Sequence, residues 1–313
     1  MSLCKGMHIA TSSKRSYAGL QKIFPDFCAA FEIEPFTISE EELCCAAAHY
    51  VLSHTVNTLG GYMSAVANLY LESGAQDDLP RGRKFMHFVK GIKRLLGAAD
   101  EVVRTRALGL EQLSTILEAL NLSDRAQVSF GAQLSVAFFL ALRTEDHTGG
   151  RLRWGDVYPQ ADGSVEFLLA PGKSVRRYRR VAIGRRAGEL DALTWVKRLA
   201  AMSTPEEREF NQPVFITVET SPAGVRRSRT TTRSAFIASF KGVVRTVLGI
   251  DPVLYAGYSL RRGGVTEMLL SGVPLPIIKR HVGWAPGSDA IDSYYDHHGR
   301  LQMRVPTERM GRR

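Results

Sequence analysis

An arginine near a helix start, followed about thirty residues later by a tyrosine, is a pair suited to phosphate chemistry, and Arg261 and Tyr294 stand in that relation. A guanidinium can neutralise a phosphate through paired, charge-assisted hydrogen bonds. A tyrosine hydroxyl can attack the phosphorus and hold it covalently. Tyr295 adjoins Tyr294, so either is a candidate nucleophile. The stretch Tyr255–Tyr295 that carries them opens with Arg261-Arg262-Gly263-Gly264 and continues as an apolar helix (Val265, Met268, Leu269, Leu270) stopped by Gly272 and Pro274. A second short helix, Pro276–His281, ends at Gly283-Trp284.

Other elements must bring further groups to this stretch. Val128–Leu142 is apolar nearly all round, which predicts a buried helix. It delivers Arg143, a charge costly to hide unless an anion meets it; a cation ending a helix also suits the macrodipole, so position alone leaves both readings open. Ser164–Ala170 and Arg179–Ile183 read as strands joined through a turn at Pro171-Gly172. Arg176, Arg177, Arg179 and Arg180 form a basic ridge suited to phosphate contacts. Leu190–Met202 reads as a helix, Val214–Val218 as a short strand, and Thr232–Leu248 as an amphipathic helix. Ser221–Arg233 reads as a polar, basic loop that a nucleic acid would order.

The first hundred residues read as a small helical domain. Tyr17, Leu20, Phe24, Phe27 and Phe31 recur at helical steps across Ser12–Phe31, interrupted by Pro25. Ser39 and Glu42 make a capping box for the next helix. Thr55–Ser73 places Leu59, Tyr62, Met63, Val66, Leu69 and Tyr70 on one face, with Gly74 as its stop. Arg83–Leu96 is expected to turn Phe85, Phe88, Val89, Ile92 and Leu95 inward and its lysines and arginines outward. Gly97–Gly109 lacks an apolar face and reads as a linker.

Composition bounds the answer. At 313 residues, 44% hydrophobic and 23% charged, the chain is globular, with room for one large domain or two smaller ones. A net charge of +10 makes nucleic acid the leading partner, against the plainer reading of a merely basic surface. No apolar run is long enough for a membrane span, and the N-terminus lacks a signal-peptide core, so an intracellular protein is expected. Four cysteines, Cys4, Cys28, Cys44 and Cys45, make neither a disulfide framework nor a zinc site; they read as reduced, with Cys28 and Cys44 or Cys45 in a helix interface.

Tyr258-Ser259-Leu260-Arg261-Arg262-Gly263-Gly264, then Gly283-Trp284, then Asp289-Ala290-Ile291-Asp292-Ser293-Tyr294 resemble, in order and spacing, the C-terminal motif series of the tyrosine recombinases, the phage-integrase family. One part departs: Tyr258 stands where that family usually has histidine. Arg143 matches the family's first catalytic arginine, with Leu152-Arg153-Trp154-Gly155-Asp156 as its downstream motif and Glu145 or Asp146 as the acidic residue orienting it. Asp146–Arg151 is longer and richer in glycine than the family's helical turn. Lys173 matches the hairpin lysine that protonates the leaving oxygen. Ala290, the small residue ahead of the nucleophile, favours Tyr294 over Tyr295.

The resemblance implies a mainly α fold with a small β-sheet or hairpin. A helical core-binding (SAM-like) domain over residues 1–98 and a linker over 99–109 precede an α+β catalytic domain over 110–313, the two domains clamping double-stranded DNA. Arg83, Lys84, Lys90 and Lys93 would then meet phosphates from one side, and Arg262 with the hairpin arginines from the other; without the downstream motifs, the first four read instead as a solvated helix face. Arg143 and Arg261 would bind the non-bridging oxygens, Trp284 would donate its indole N–H, and Tyr258 a phenol hydrogen bond. Tyr294 would form a 3′-phosphotyrosyl link without metal ion, ATP or other cofactor. The implied activity is DNA recombination, integration or transposition of a mobile element, by a monomer or dimer that assembles as a tetramer on paired sites, in the nucleus or the bacterial nucleoid. Two alternatives stand: a recombinase-derived DNA-binding protein that has lost its chemistry at Tyr258 and around Arg143, and a type IB topoisomerase-like relaxing enzyme.

Overall fold

In a computed structural model of the chain, residues 11–75, 78–97, 105–171, 177–220, 226–291 and 294 are described. Contacts divide it into two units, Met1–Val103 and Arg104–Arg313.

The first unit holds four helices: α1 (Thr11–Ala30), α2 (Glu40–Ser53), α3 (Leu59–Ser73) and α4 (Arg83–Leu96). The expected capping box forms: Ser39 Oγ accepts from the Glu42 amide, and the Glu42 carboxylate accepts from the Ser39 amide. Gly74, at φ +76, ends α3 in the left-handed region that a side chain disfavours. Phe24, Leu43, Leu59 and Val66 fill the core around the stacked rings of Tyr50 and Tyr62, 4.2 Å apart. Cys28 lies in this core, where burial pushes its thiol up to about 11 and makes it inert. Cys44 packs half-buried against the same cluster, and Cys45 is exposed. One expectation is corrected in α4. Phe85 and Ile92 are buried, but Phe88 is 36% exposed and Leu95 80%. The helix packs on α2 and the short turn Val56–Thr58, which together cover a narrow stripe, so residues at the edge of its apolar face stay outside.

The second unit is built on α6 (Arg125–Phe139), buried on nearly every face as its composition requires. It packs against α8 (Ala192–Ala201) and α10 (Tyr258–Leu270). Also present are α5 (Leu110–Glu118), α7 (Thr144–His147), α9 (Arg233–Thr246) and α11 (Leu275–Val282). Strands β1 (Val157–Pro159), β2 (Val165–Leu169) and β3 (Arg179–Ile183) form an antiparallel sheet in that order. Its β2–β3 register pairs Val165 with Ile183 and Leu169 with Arg179. A second hairpin pairs β4 (Ile216–Thr220) with β5 (Arg226–Thr230). The expected polar loop at Ser221–Arg233 is therefore partly strand. An exposed edge ribbon needs no apolar alternation, so its polar sequence carried no strand signal.

The expected linker also changes. Within it, the Arg106 amide donates to Leu254 O (2.7 Å), the Leu108 amide donates to Ser259 O (3.1 Å), and Leu108 is fully buried. This segment packs beneath the glycine pair of α10. A Cβ on Gly263 would stand 2.0 Å from Leu108 O, and one on Gly264 2.0 Å from Phe138 O. Those neighbours are backbone atoms, which cannot swing aside. Gly264→Ala is expected to destabilise the protein by about 3 kcal/mol or more, seen as a lower urea midpoint; an unchanged midpoint would show that α10 can lift from α6 at no cost. No helix among the described residues is long and apolar enough to cross a membrane.

Candidate active site

Tyr258 and Arg261 stand one turn apart on α10 and so share a face. Arg261 is fully buried, and its partners are backbone carbonyls. Nη1 donates to Ala141 O (2.6 Å) and Nη2 to Val282 O (3.2 Å). Ala141 follows the end of α6 and Val282 is the last residue of α11, places where carbonyls lack intrahelical partners and the dipole favours a cation. Ala141 holds φ +46, a left-handed conformation that costs on the order of 1 kcal/mol for a non-glycine residue; its carbonyl is the one that meets Arg261. The guanidinium carbon lies 5.4 Å from the Trp284 ring centre. Nε is buried and has no partner among the described residues.

Tyr294 is 1% exposed, its ring 5.2 Å from that of Trp284. Gly283, at φ +72, ends α11 and turns the chain so that Trp284 meets both Arg261 and Tyr294. The Tyr294 hydroxyl is hydrogen-bonded to that of Tyr258, which is 42% exposed. Burial pushes the Tyr294 phenol above its ordinary value; Arg261 pulls it down, and the Tyr258 hydrogen bond pushes it up again. Tyr294 is therefore a neutral phenol at physiological pH. The phenol at Tyr258, where the motif usually carries histidine, is thus the hydrogen-bond partner of the candidate nucleophile.

Arg143 leads into the α7 turn, and its amide donates to Asp146 Oδ2 (3.0 Å). Glu145 is exposed, so Asp146 is the carboxylate on the inner side. Below this turn lies His147, fully buried. Gln133 Nε2 donates to His147 O (2.8 Å) and stands 3.1 Å from Nδ1, which leaves the ring proton on Nε2. Burial drops the His147 imidazole to about 3 from an ordinary 6.5. The unfolded chain therefore binds one proton more than the folded chain between those values, so stability falls as the pH drops from 6.5 toward 3. The slope is at most about 1.4 kcal/mol per pH unit. His147→Asn should flatten the acid side of a plot of unfolding free energy against pH; parallel curves for variant and parent would mean that the ring protonates in place.

Arg179 begins β3, and its Nη1 donates to His281 O at the end of α11. Burial first, then Arg261, lowers its guanidinium to about 10, with Arg143 adding to the fall and Asp146 opposing it. His281 Nε2 donates to Phe139 O (2.9 Å), so the histidine ties α11 to the end of α6. Burial and the two arginines keep its imidazole below its ordinary range.

Arg261, Tyr294, Tyr258 and Trp284 thus come together, with Arg143 and Asp146 nearby. Arg262 does not present itself as a DNA contact: it is 7% exposed, its guanidinium 5.8 Å from the Tyr294 ring centre. The expected hairpin ridge divides. Arg177 is exposed, whereas Arg180 pairs with Glu166 at 3.4 Å and Arg179 turns inward. Lys173, Arg176 and Tyr295 lie outside the described residues. On α4, Arg83, Lys84, Lys90 and Lys93 are exposed, and Lys84 pairs with Glu41 at 2.7 Å. Sequence reasoning missed the carbonyls of Ala141, His281 and Val282, since any residue type supplies one. It also missed the inward turn of Arg179, which the alternation of Arg179, Val181 and Ile183 on one strand face signals.

No family model matches the sequence, and no curated protein matches it. Solved structures match the fold. The XerH site-specific recombinase bound to palindromic difH substrate, in a post-cleavage complex, is 15% identical with a TM-score of 0.59 over 87% of this chain and 72% of that one. The Tn1549 transposon integrase in complex with circular intermediate DNA is 11% identical, also with a TM-score of 0.59, over 93% of this chain and 90% of its own. A lambda integrase dimer bound to a COC′ core site is 14% identical with a TM-score of 0.59, over 96% and 75% respectively. Identities this low carry fold and not activity. With its mostly helical build and small antiparallel sheets, the chain has the fold of the tyrosine recombinases and integrases.

Proposed function

We propose that this chain is a DNA strand-cleaving and rejoining enzyme of the site-specific recombinase type, with Tyr294 as nucleophile and Arg261 and Arg143 as phosphate-binding cations. The carrying observation is the fully buried Arg261, held by two carbonyls, its Nε without a partner among the described residues, beside a buried tyrosine hydroxyl. A buried guanidinium without a carboxylate partner fits an anionic substrate. Attack by the Tyr294 oxygen forms a bond to phosphorus and breaks the bond to the 5′ oxygen. The Tyr294 proton passes to the Tyr258 oxygen as Tyr258, open to solvent, releases its own to water, and the departing oxygen takes a proton from Lys173, whose role rests on the motif resemblance. The phosphotyrosyl ester conserves the bond energy, so a 5′ hydroxyl reverses the step without ATP, and guanidinium charge does the work a metal ion does elsewhere. Double-stranded DNA is the substrate, and the exposed basic face of α4 contributes salt-dependent affinity. Strand exchange then requires a tetramer on paired sites.

A second reading, a DNA-binding protein of this fold without chemistry, is favoured by one observation. Tyr294 is covered, and burial holds its phenol in the protonated form. Covalent capture separates the two. Duplexes selected by the protein from a randomised pool are nicked and incubated with it, then run on a denaturing gel. A shifted protein–DNA band establishes cleavage. Clear binding in a mobility shift without that band establishes the binding protein.

A further inference from the structure

Two guanidiniums are anchored on neighbouring carbonyls of one helix end. Arg261 Nη2 donates to Val282 O, and Arg179 Nη1 donates to His281 O. The two reach the end of α11 from different elements, α10 and β3, which are far apart in sequence. Like charges brought this close repel, and the repulsion is unscreened where water is scarce. The helix dipole offsets part of it. Asp146 is the carboxylate whose charge favours Arg179, against Arg261 and Arg143, which both oppose it. Among the described residues, the Arg261 and Arg179 guanidiniums share this largely buried helix end, and Asp146 is the carboxylate that acts on Arg179. Such an arrangement is stable when a further anion joins it.

We propose that Arg179 is a third cation of the phosphate pocket, held there by the His281 carbonyl, and is not part of the outer basic ridge. The proposal deepens the recombinase reading and rests on it for the identity of the anion, a DNA phosphodiester. The strand face supports the distinction: Arg179 lies on the inner side with buried Val181 and Ile183, while Arg180 points outward to Glu166 and stacks over Tyr158 at 5.4 Å. Arginine is suited to both tasks at once, since its planar fork can donate to the carbonyl and to a phosphate oxygen.

The test uses the full chain with Arg179→Gln, Arg179→Lys and, as a control one residue away, Arg180→Gln. Binding is read first with inorganic sulfate and orthovanadate, as shifts in thermal unfolding. The unaltered protein and Arg180→Gln should both be stabilised, Arg179→Lys partly, and Arg179→Gln not at all. Equal stabilisation of Arg179→Gln and the parent, or no stabilisation of the parent, overturns the proposal. Cleavage is read second, at saturating DNA, on a phosphodiester and on a neutral methylphosphonate at the scissile position. Arg179→Gln should lose about 10-fold or more on the charged substrate and under about 3-fold on the neutral one, as expected for a group that compensates substrate charge. An equal loss on both substrates would assign Arg179 to packing alone. If the parent binds the anions through Arg179 but cleaves neither DNA, the pocket stands and the recombinase reading falls.

Discussion

Tyr294→Phe is expected to abolish covalent capture of a nicked duplex and to leave DNA affinity within about threefold of the parent, because on the proposed function the change deletes the oxygen that would bond to phosphorus and little else. The ring stays packed against Trp284, and Arg262 keeps its place over it. Within the protein the substitution removes the hydrogen bond to Tyr258, whose hydroxyl is exposed enough to turn to water. Tyr258→Phe makes the complementary test. It leaves the attacking oxygen present but without its proton-accepting neighbour, and general-base losses of this kind run to about 10²-fold. Capture retained in Tyr294→Phe and abolished in Tyr295→Phe would move the nucleophile by one residue. Capture retained in both would remove tyrosine from the chemistry.

Arg261→Ala should cost more than any other single change outside the nucleophile, through two separable routes. In the transition state one charge-assisted hydrogen bond of this kind is worth about 3–4 kcal/mol, or roughly 10²–10³ in rate. In the resting protein the carbonyls of Ala141 and Val282 are left without their donors, at about 1–3 kcal/mol each when buried and unpaired. Single-turnover cleavage at saturating DNA reads the first route, and urea unfolding reads the second. Arg261→Lys divides them further: it keeps the charge, but one ammonium cannot span both carbonyls and the phosphate in the planar geometry of the fork. It should regain part of the stability and little of the rate. A variant that unfolds like the parent and cleaves normally would sink the assignment of Arg261 to the phosphate.

Much of the architecture was legible in the sequence because it rests on local rules. The capping box at Ser39 and Glu42, the stop at Gly74 and the buried α6 each follow from residue types within a few positions. So did the spacing that brings Arg261 and Trp284 to Tyr294, since two short helices ended by Gly272 and Gly283 allow few routes between them. The errors came where local rules do not reach. The β5 strand is polar because it sits on an exposed ribbon, and Phe88 and Leu95 are outside because α4 has too few neighbours to cover them.

By itself, then, the sequence determined which residue types were available for phosphate chemistry, in what order, and on which helices and strands, because periodicity and punctuation are properties of the nearby chain. Tertiary structure alone decided which arginines meet at the end of α11. Arg179 and Arg180 are neighbours of one type, yet the strand's alternation and the end of α11 draw one inward while Glu166 holds the other outside. Arg262, next to Arg261, lies instead with its guanidinium 5.8 Å from the Tyr294 ring centre. The physical reason is that a guanidinium's surroundings are set by carbonyls, rings and charges from elements distant in sequence, and no local pattern records where those converge.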